Sequence, residues 1–281
     1  MKHRPPRTRA PLDAVGRYLL VQAAALRADA ASIDNGAPDA VHSMRSTVRR
    51  LRSALAAFGA VRRTGGNDAG RQTVAALQRL TRLLAEAREA QVLHSRISAL
   101  AGRLEGLDRV EAALAREEAL AVALVRESVR DGRCTALAAD IESLVARLPR
   151  LGRKAVRRHL KRQWAKLARL VGMAGHPGEG VETALHAVRK QARLIRYAAE
   201  AGASVAGERW VRRGTQAKEV QEVLGVHQDA VQAVRFARGL AGTLADEETV
   251  ARLCAVEEER RREAEERFAL LWEKIQPPKR K

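Results

Sequence analysis

Residues 41–58 read VHSMRSTVRRLRSALAAF, and within them His42 is followed by Arg45, Arg49 and Arg52 at offsets of three, seven and ten. At 3.6 residues per turn these four side chains fall within an arc of about 80° and form a stripe roughly 15 Å long. Val48, Leu51 and Leu55 occupy the flank and back of the same helix, where they can seal it to a core. The pattern occurs a second time. Residues 185–201, LHAVRKQARLIRYAAEA, carry His186, Arg189, Arg193 and Arg196 at the same offsets, with Val188, Ala192 and Ile195 behind them. Two lines of guanidinium held on packed helices suit an extended polyanion, because guanidinium meets phosphate through paired hydrogen bonds and keeps its proton.

Charge points the same way. The 281 residues hold 52 Lys and Arg against 33 Asp and Glu, a formal net charge of +19, and 43 of the basic residues are Arg. A genome rich in G and C raises Arg over Lys but not basic over acidic residues, so the surplus indicates a phosphate-rich partner. Apolar residues make up 46% of the chain, enough for a sizeable core, while aromatics make up 3%. Ala, Leu, Arg and Glu dominate, which favours helix and gives little strand signal. Cys134 and Cys254 stand far apart with no CxxC or His-rich context, so neither a disulfide framework nor a metal site is indicated. A reducing, cytoplasmic setting fits, and no apolar run approaches the roughly 20 residues that a membrane span needs.

In chain order, residues 1–11 read as a flexible basic arm with three prolines. Helices are expected from about 12 to 33 and, capped by Asp39, on to about 60, with a loop at 64–70. The next helix runs from 71 to about 104 with a break near 85–89, followed by helices at 108–129 and 135–148. Pro149 resets the chain. A dense basic segment, RLGRKAVRRHLKRQWAKLARL, precedes a turn at 172–180 and the second stripe. Helices at about 204–224, 226–240 and 246–275 and a basic tail at 276–281 complete the expectation. The halves match along their length: Val15, Leu19 and Leu26 recur as Val156, Leu160 and Leu167, Leu84 as Leu224, and Glu117-Glu118 as Glu257-Glu258. A shift held between 140 and 144 over four segments implies duplication. The expected fold is all-α: two antiparallel helical bundles of four to five helices each, at 12–148 and 149–275, related by a pseudo-twofold axis.

The paired His-x-x-Arg-x-x-x-Arg-x-x-Arg helices, each followed by a Leu-Gly-x-x-x-Asp-like element, resemble the CHAD family, the conserved histidine α-helical domains. LGVHQDAV at 224–231 is close to that pattern, whereas LAEAREAQV at 84–92 has Ala85 for the Gly and Glu89 for the Asp. No ExExK segment precedes the domain, so the expectation is a stand-alone form, without the hydrolase activity of the triphosphate-tunnel module. The resemblance implies one CHAD domain with a basic groove that binds inorganic polyphosphate and associates with polyphosphate granules, granule proteins being possible partners. It carries the binding role to His42, Arg45, Arg49, Arg52, His186, Arg189, Arg193 and Arg196, the positions that spacing had already selected, to which Lys190 is added.

Among the basic residues of 150–170, Arg157, Arg158 and Lys161 are expected to line the same groove. The histidines either donate to phosphate or pack and orient the first arginine; both readings stand. Glu89 and Asp229 are read as orienting guanidiniums, not as a catalytic pair. No catalytic residue, cofactor or metal is expected. Nucleic acid is the rival partner, less favoured because eight aromatics leave few stacking platforms. Tyr197, placed on the basic face of its helix, is the dissenting residue. A role as an accessory to polyphosphate metabolism is the other alternative.

Overall fold

A computed structural model describes residues 13–62, 68–101, 106–174, 180–240 and 245–275. The expected arm and tail, and the centres of the expected loops at 64–70 and 172–180, lie outside these residues. Nine helices are described: α1 (Ala14–Asp34), α2 (Ala40–Arg62), α3 (Asp68–Ala101), α4 (Asp108–Arg130), α5 (Arg133–Arg147), α6 (Arg153–Ala174), α7 (Val181–Ala206), α8 (Glu208–Gly239) and α9 (Glu247–Ile275). Among the described residues there is no strand, and no helix is long and apolar enough to cross a membrane.

The duplication is visible in the packing. α1 packs on α2 and α2 on α3, and the α3–α4 hairpin follows; α6 packs on α7 and α7 on α8, and the α8–α9 hairpin follows. α2 and α7, the two stripe helices, pack against each other at the centre. α5 has no counterpart and lies on α1 and α3. One cluster, from Leu167 to Ile275, lies within the second half, but the other two cross between the halves. The largest cluster joins α1 to α5 with Leu151, Val156 and Leu160 and with Ala198 to Ala206, while a third cluster joins Ile97, Leu100, Leu107 and Leu114 to Ala237, Leu240, Val250 and Leu253.

Polar contacts fix the register between helices. Asp13 caps α1, its Oδ1 accepting from Gly16 N at 2.6 Å, while its Oδ2 accepts from Leu151 N at 2.5 Å and ties the start of α1 to the start of α6. Buried Asp29 accepts from Ser43 Oγ and Thr47 Oγ1, both at 2.6 Å, which sets α2 on α1. Val41, Met44, Val48, Leu51 and Leu55 are buried, so the His and Arg stripe lies one residue, about 100°, round from the apolar one.

Three local expectations are corrected. α3 runs unbroken through 85–89, and α8 runs unbroken through Leu224, Gly225 and Val226. One interior glycine weakens a helix by only about 1 kcal/mol, and buried Leu224, His227 and Ala230 hold α8 in place. The chain turns instead at Gly207, three residues after the expected start at 204. Asp39 adopts φ 56° in the left-handed region, outside the extended geometry of a capping residue, and its carbonyl accepts from Ser43 N.

Candidate polyanion-binding groove

Where α2, α3 and α7 meet, an open groove of about 340 Å³ is lined by Arg45, Arg49 and Arg52 from α2 and by Lys190 and Arg193 from α7. α3 closes it with Gln78, Thr81 and Ala85. Three arginines of the first row and Arg193 of the second therefore border one groove between the halves, whereas His42, His186, Arg189 and Arg196 are not in its lining.

The charges crowd one another. Burial, reinforced by Arg49, Arg88 and Arg189, pushes Arg45 down to about 10, and Asp229 only partly opposes this. Burial, reinforced mainly by Arg49 and Arg189, pushes Arg193 down to about 10. Arg189 and Arg52 are lowered too, chiefly by burial. All remain charged at neutral pH. Nε of Arg49 and Nε of Arg189 are buried with no hydrogen-bond partner among the described residues. An unsatisfied buried donor costs about 1–3 kcal/mol, which adds to the cost of crowding these cations. Asp229 sits among Arg189, Arg96, Arg45 and Arg88, yet burial outweighs them and raises its carboxyl. Its surroundings make it a partial counter-charge to both rows. Glu89 is exposed.

The remaining expected residues divide. His42 is largely exposed at the entrance to its row, yet partial desolvation of its ring, followed by the positive charge of Arg88 and Arg49, lowers it. His186 is exposed and bonds through Nδ1 to Gln228 Oε1 at 2.7 Å. Arg196 turns to Glu200, with Nε to Oε1 at 3.2 Å, and its guanidinium lies 5.1 Å from the Tyr197 ring centre. It shares the Glu200 carboxylate with Arg50, whose Nε lies 3.5 Å from Oε2.

Arg157, Arg158 and Lys161 do not line this groove. Val156, His159 and Leu160 are the buried face of α6, with His159 5.1 Å from the Phe58 ring, and this turns the three basic residues to a different cavity at the start of α8. Tyr197 is also corrected. It is 1% exposed, covered by Arg50 and Arg196, and offers no face to a base.

Arg88, Gln78 and Thr81 were not anticipated. Residues 78, 81, 85 and 88 on α3 repeat the offsets of three, seven and ten found in the stripes, and that spacing is the signal that could have found them. Among the described residues, no group of three or more His, Cys, Asp or Glu is placed to hold a metal ion.

The fold and groove define an all-α, internally duplicated protein with cationic side chains gathered at its pseudo-twofold interface. The CHAD domain family model matches residues 17–238, more than half of the chain, and the chain belongs to that family. Among solved structures it is similar to PptA from Streptomyces chartreusis, with a TM-score of 0.68 at 20% identity, covering 92% of this chain and 98% of that one. It is also similar to the CHAD domain from the plant Ricinus communis, with a TM-score of 0.63 at 20% identity, covering 96% and 93%. At that identity the likeness concerns the fold. No curated protein matches the sequence.

Proposed function

We propose that this chain binds inorganic polyphosphate, without chemical turnover, along the groove between α2, α3 and α7, and that in the cell it associates with polyphosphate granules. The observation that carries this reading is the convergence of Arg45, Arg49, Arg189 and Arg193 in partly buried positions, with two guanidinium Nε atoms unsatisfied. Such crowding is unfavourable in the free protein and is relieved by a ligand that brings a negative charge every few ångströms. Lys190 and Arg52 extend the contact along the groove. His42 and His186, at the leading ends, donate to phosphate oxygens or orient the neighbouring arginines.

The groove favours a phosphate chain over a nucleic acid because its described lining has no aromatic face on which a base could stack. Competition at one ionic strength tests this. Long-chain polyphosphate should displace duplex or single-stranded DNA from the protein, and free phosphate should not appear when polyphosphate is incubated with protein and Mg²⁺. Displacement in the opposite order would overturn the ligand assignment, and phosphate release would overturn the non-catalytic one.

A further inference from the structure

A second basic surface lies where α6 meets the start of α8. Arg158, Lys161 and Arg209 are exposed there and, with half-buried Arg157, border an open cavity of about 480 Å³. The connection between α7 and α8 is a single residue, Gly207, at φ 88° and ψ 163°, a conformation essentially confined to glycine. Arg157 secures it: its Nε donates to the Ala206 carbonyl at 2.7 Å, and its Nη2 lies 2.8 Å from where a Cβ on Gly207 would stand. Arg157 is thus committed to the end of α7, where a cation also offsets the helix dipole.

Arg158, Lys161 and Arg209 have no such commitment. Among the described residues none of them forms an ion pair, and Arg209 instead lies 6.0 Å from the Trp210 ring centre. Glu208 also borders the cavity, one carboxylate against four cations. The surface is remote from the groove. Arg193 and Ala206 are thirteen residues apart on α7, about 20 Å of rise and some 220° of rotation. Tyr197, Ala198, Ala199 and Ala201 are buried between them.

We propose that this surface is a second binding site for a polyphosphate chain, so that one protein molecule holds two chain segments and links them. The identity of the ligand rests on the reading of the groove; the existence of a separate site rests on these cations. A stacking ligand is disfavoured because Trp210 is half-buried with Arg209 over its ring. With exposed side chains, this site binds more weakly than the groove and more sensitively to salt. Two sites on one molecule convert binding to a long chain into cross-linking, because the second contact is drawn from a high local concentration.

Calorimetric titration with a short oligophosphate, together with light scattering on long-chain polyphosphate, tests the proposal. Wild type should bind two oligophosphates and scatter strongly with the long chain. The triple variant Arg158→Gln, Lys161→Gln, Arg209→Gln, which leaves Arg157 in place, should keep the tighter site within about twofold, lose the weaker one and scatter little. The groove variant Arg45→Gln, Arg193→Gln should keep only the weaker site. Two sites persisting in the triple variant, or a single site in wild type, would overturn the proposal and leave the groove reading intact. Two sites persisting in the groove variant would overturn the groove reading instead. Preferential capture of duplex DNA by the groove variant would make this surface a nucleic-acid site and would likewise overturn the proposal.

Discussion

The arginine rows of α2 and α7 begin from the same spacing and end in different surroundings. On α2 the row stays open, with Arg45, Arg49 and Arg52 all on the groove. On α7 the last member is taken out of play by Glu200 and Tyr197, and the leading histidine is held by Gln228. His42 instead feels the positive charge of Arg88, the residue that Gln228 replaces at the shift of 140 relating α3 to α8. Spacing decides which face of a helix a side chain occupies. The neighbour across the packing interface decides whether its charge remains available.

The sharpest contrast between the halves concerns stability. Glu117 is exposed, whereas its counterpart Glu257, at the shift of 140, is fully buried between Arg96 and Arg260. Removing Glu257 leaves Arg96 without its counter-charge, so Glu257→Ala should lower the unfolding free energy by about 3–5 kcal/mol. Glu117→Ala should cost about 1 kcal/mol or less. Denaturant titration of both variants measures the difference, and equal losses would break the comparison.

Tyr18 and His159 occupy matching positions on α1 and α6, yet Tyr18 donates to Glu200 Oε2 at 3.0 Å while His159 Nε2 has no partner among the described residues. Burial, with a smaller contribution from Arg162, pushes His159 down to about 4. Between pH 4 and 6.5 the unfolded chain therefore binds more protons than the folded one, and stability falls as pH is lowered through that window. The loss attributable to this residue is at most about 3 kcal/mol. Thermal melts across the window should show this slope in wild type and lose it in His159→Phe. An unchanged slope would place the titration elsewhere.

The rows themselves give smaller contrasts in binding. Arg52→Ala should weaken polyphosphate binding about tenfold, the scale of one charge-assisted contact. Arg196→Ala should change it less than about threefold, because that guanidinium is already paired. Reversed magnitudes would show that Glu200 releases Arg196 when ligand arrives. The smallest effect belongs to His42, which is lowered in the free protein and should be raised by adjacent phosphate. Affinity should therefore rise about threefold as pH falls through the ordinary histidine value of 6.5, with proton uptake on binding. His42→Gln should abolish both signals in calorimetry run in two buffers.

Much of this was legible because helical periodicity is local. The stripes, the apolar rows one position away and the near-constant shift between halves are arithmetic on the sequence, and they led to an all-α duplicated fold; of the expected second row only Arg193 lines the groove with the first. Assigning Arg157, Arg158 and Lys161 to that groove failed because charge density along α6 does not reveal which face packs; buried Val156, His159 and Leu160 settle it. Tyr197 was misplaced for a related reason, since Arg50 comes from the neighbouring helix to cover it. The unbroken α8 shows that a glycine flanked by buried Leu224 and Ala230 remains helical when tertiary packing supports it. The offset of Arg88 from Gln78 has meaning only through tertiary packing, because it is the contact of α3 with α2 that sets Gln78 on the groove and Arg88 beside Arg45.

The central claim is that the two rows contact one ligand. It is tested most directly by the slope of log affinity against log salt for oligophosphate at the tighter site, measured for wild type, Arg45→Ala, Arg193→Ala and the double variant. Each single substitution should reduce the slope by about one and the double by about two, as expected when each guanidinium replaces one condensed counterion. A slope that responds to Arg45 alone or to Arg193 alone, or a flat salt dependence in wild type, would contradict a shared groove.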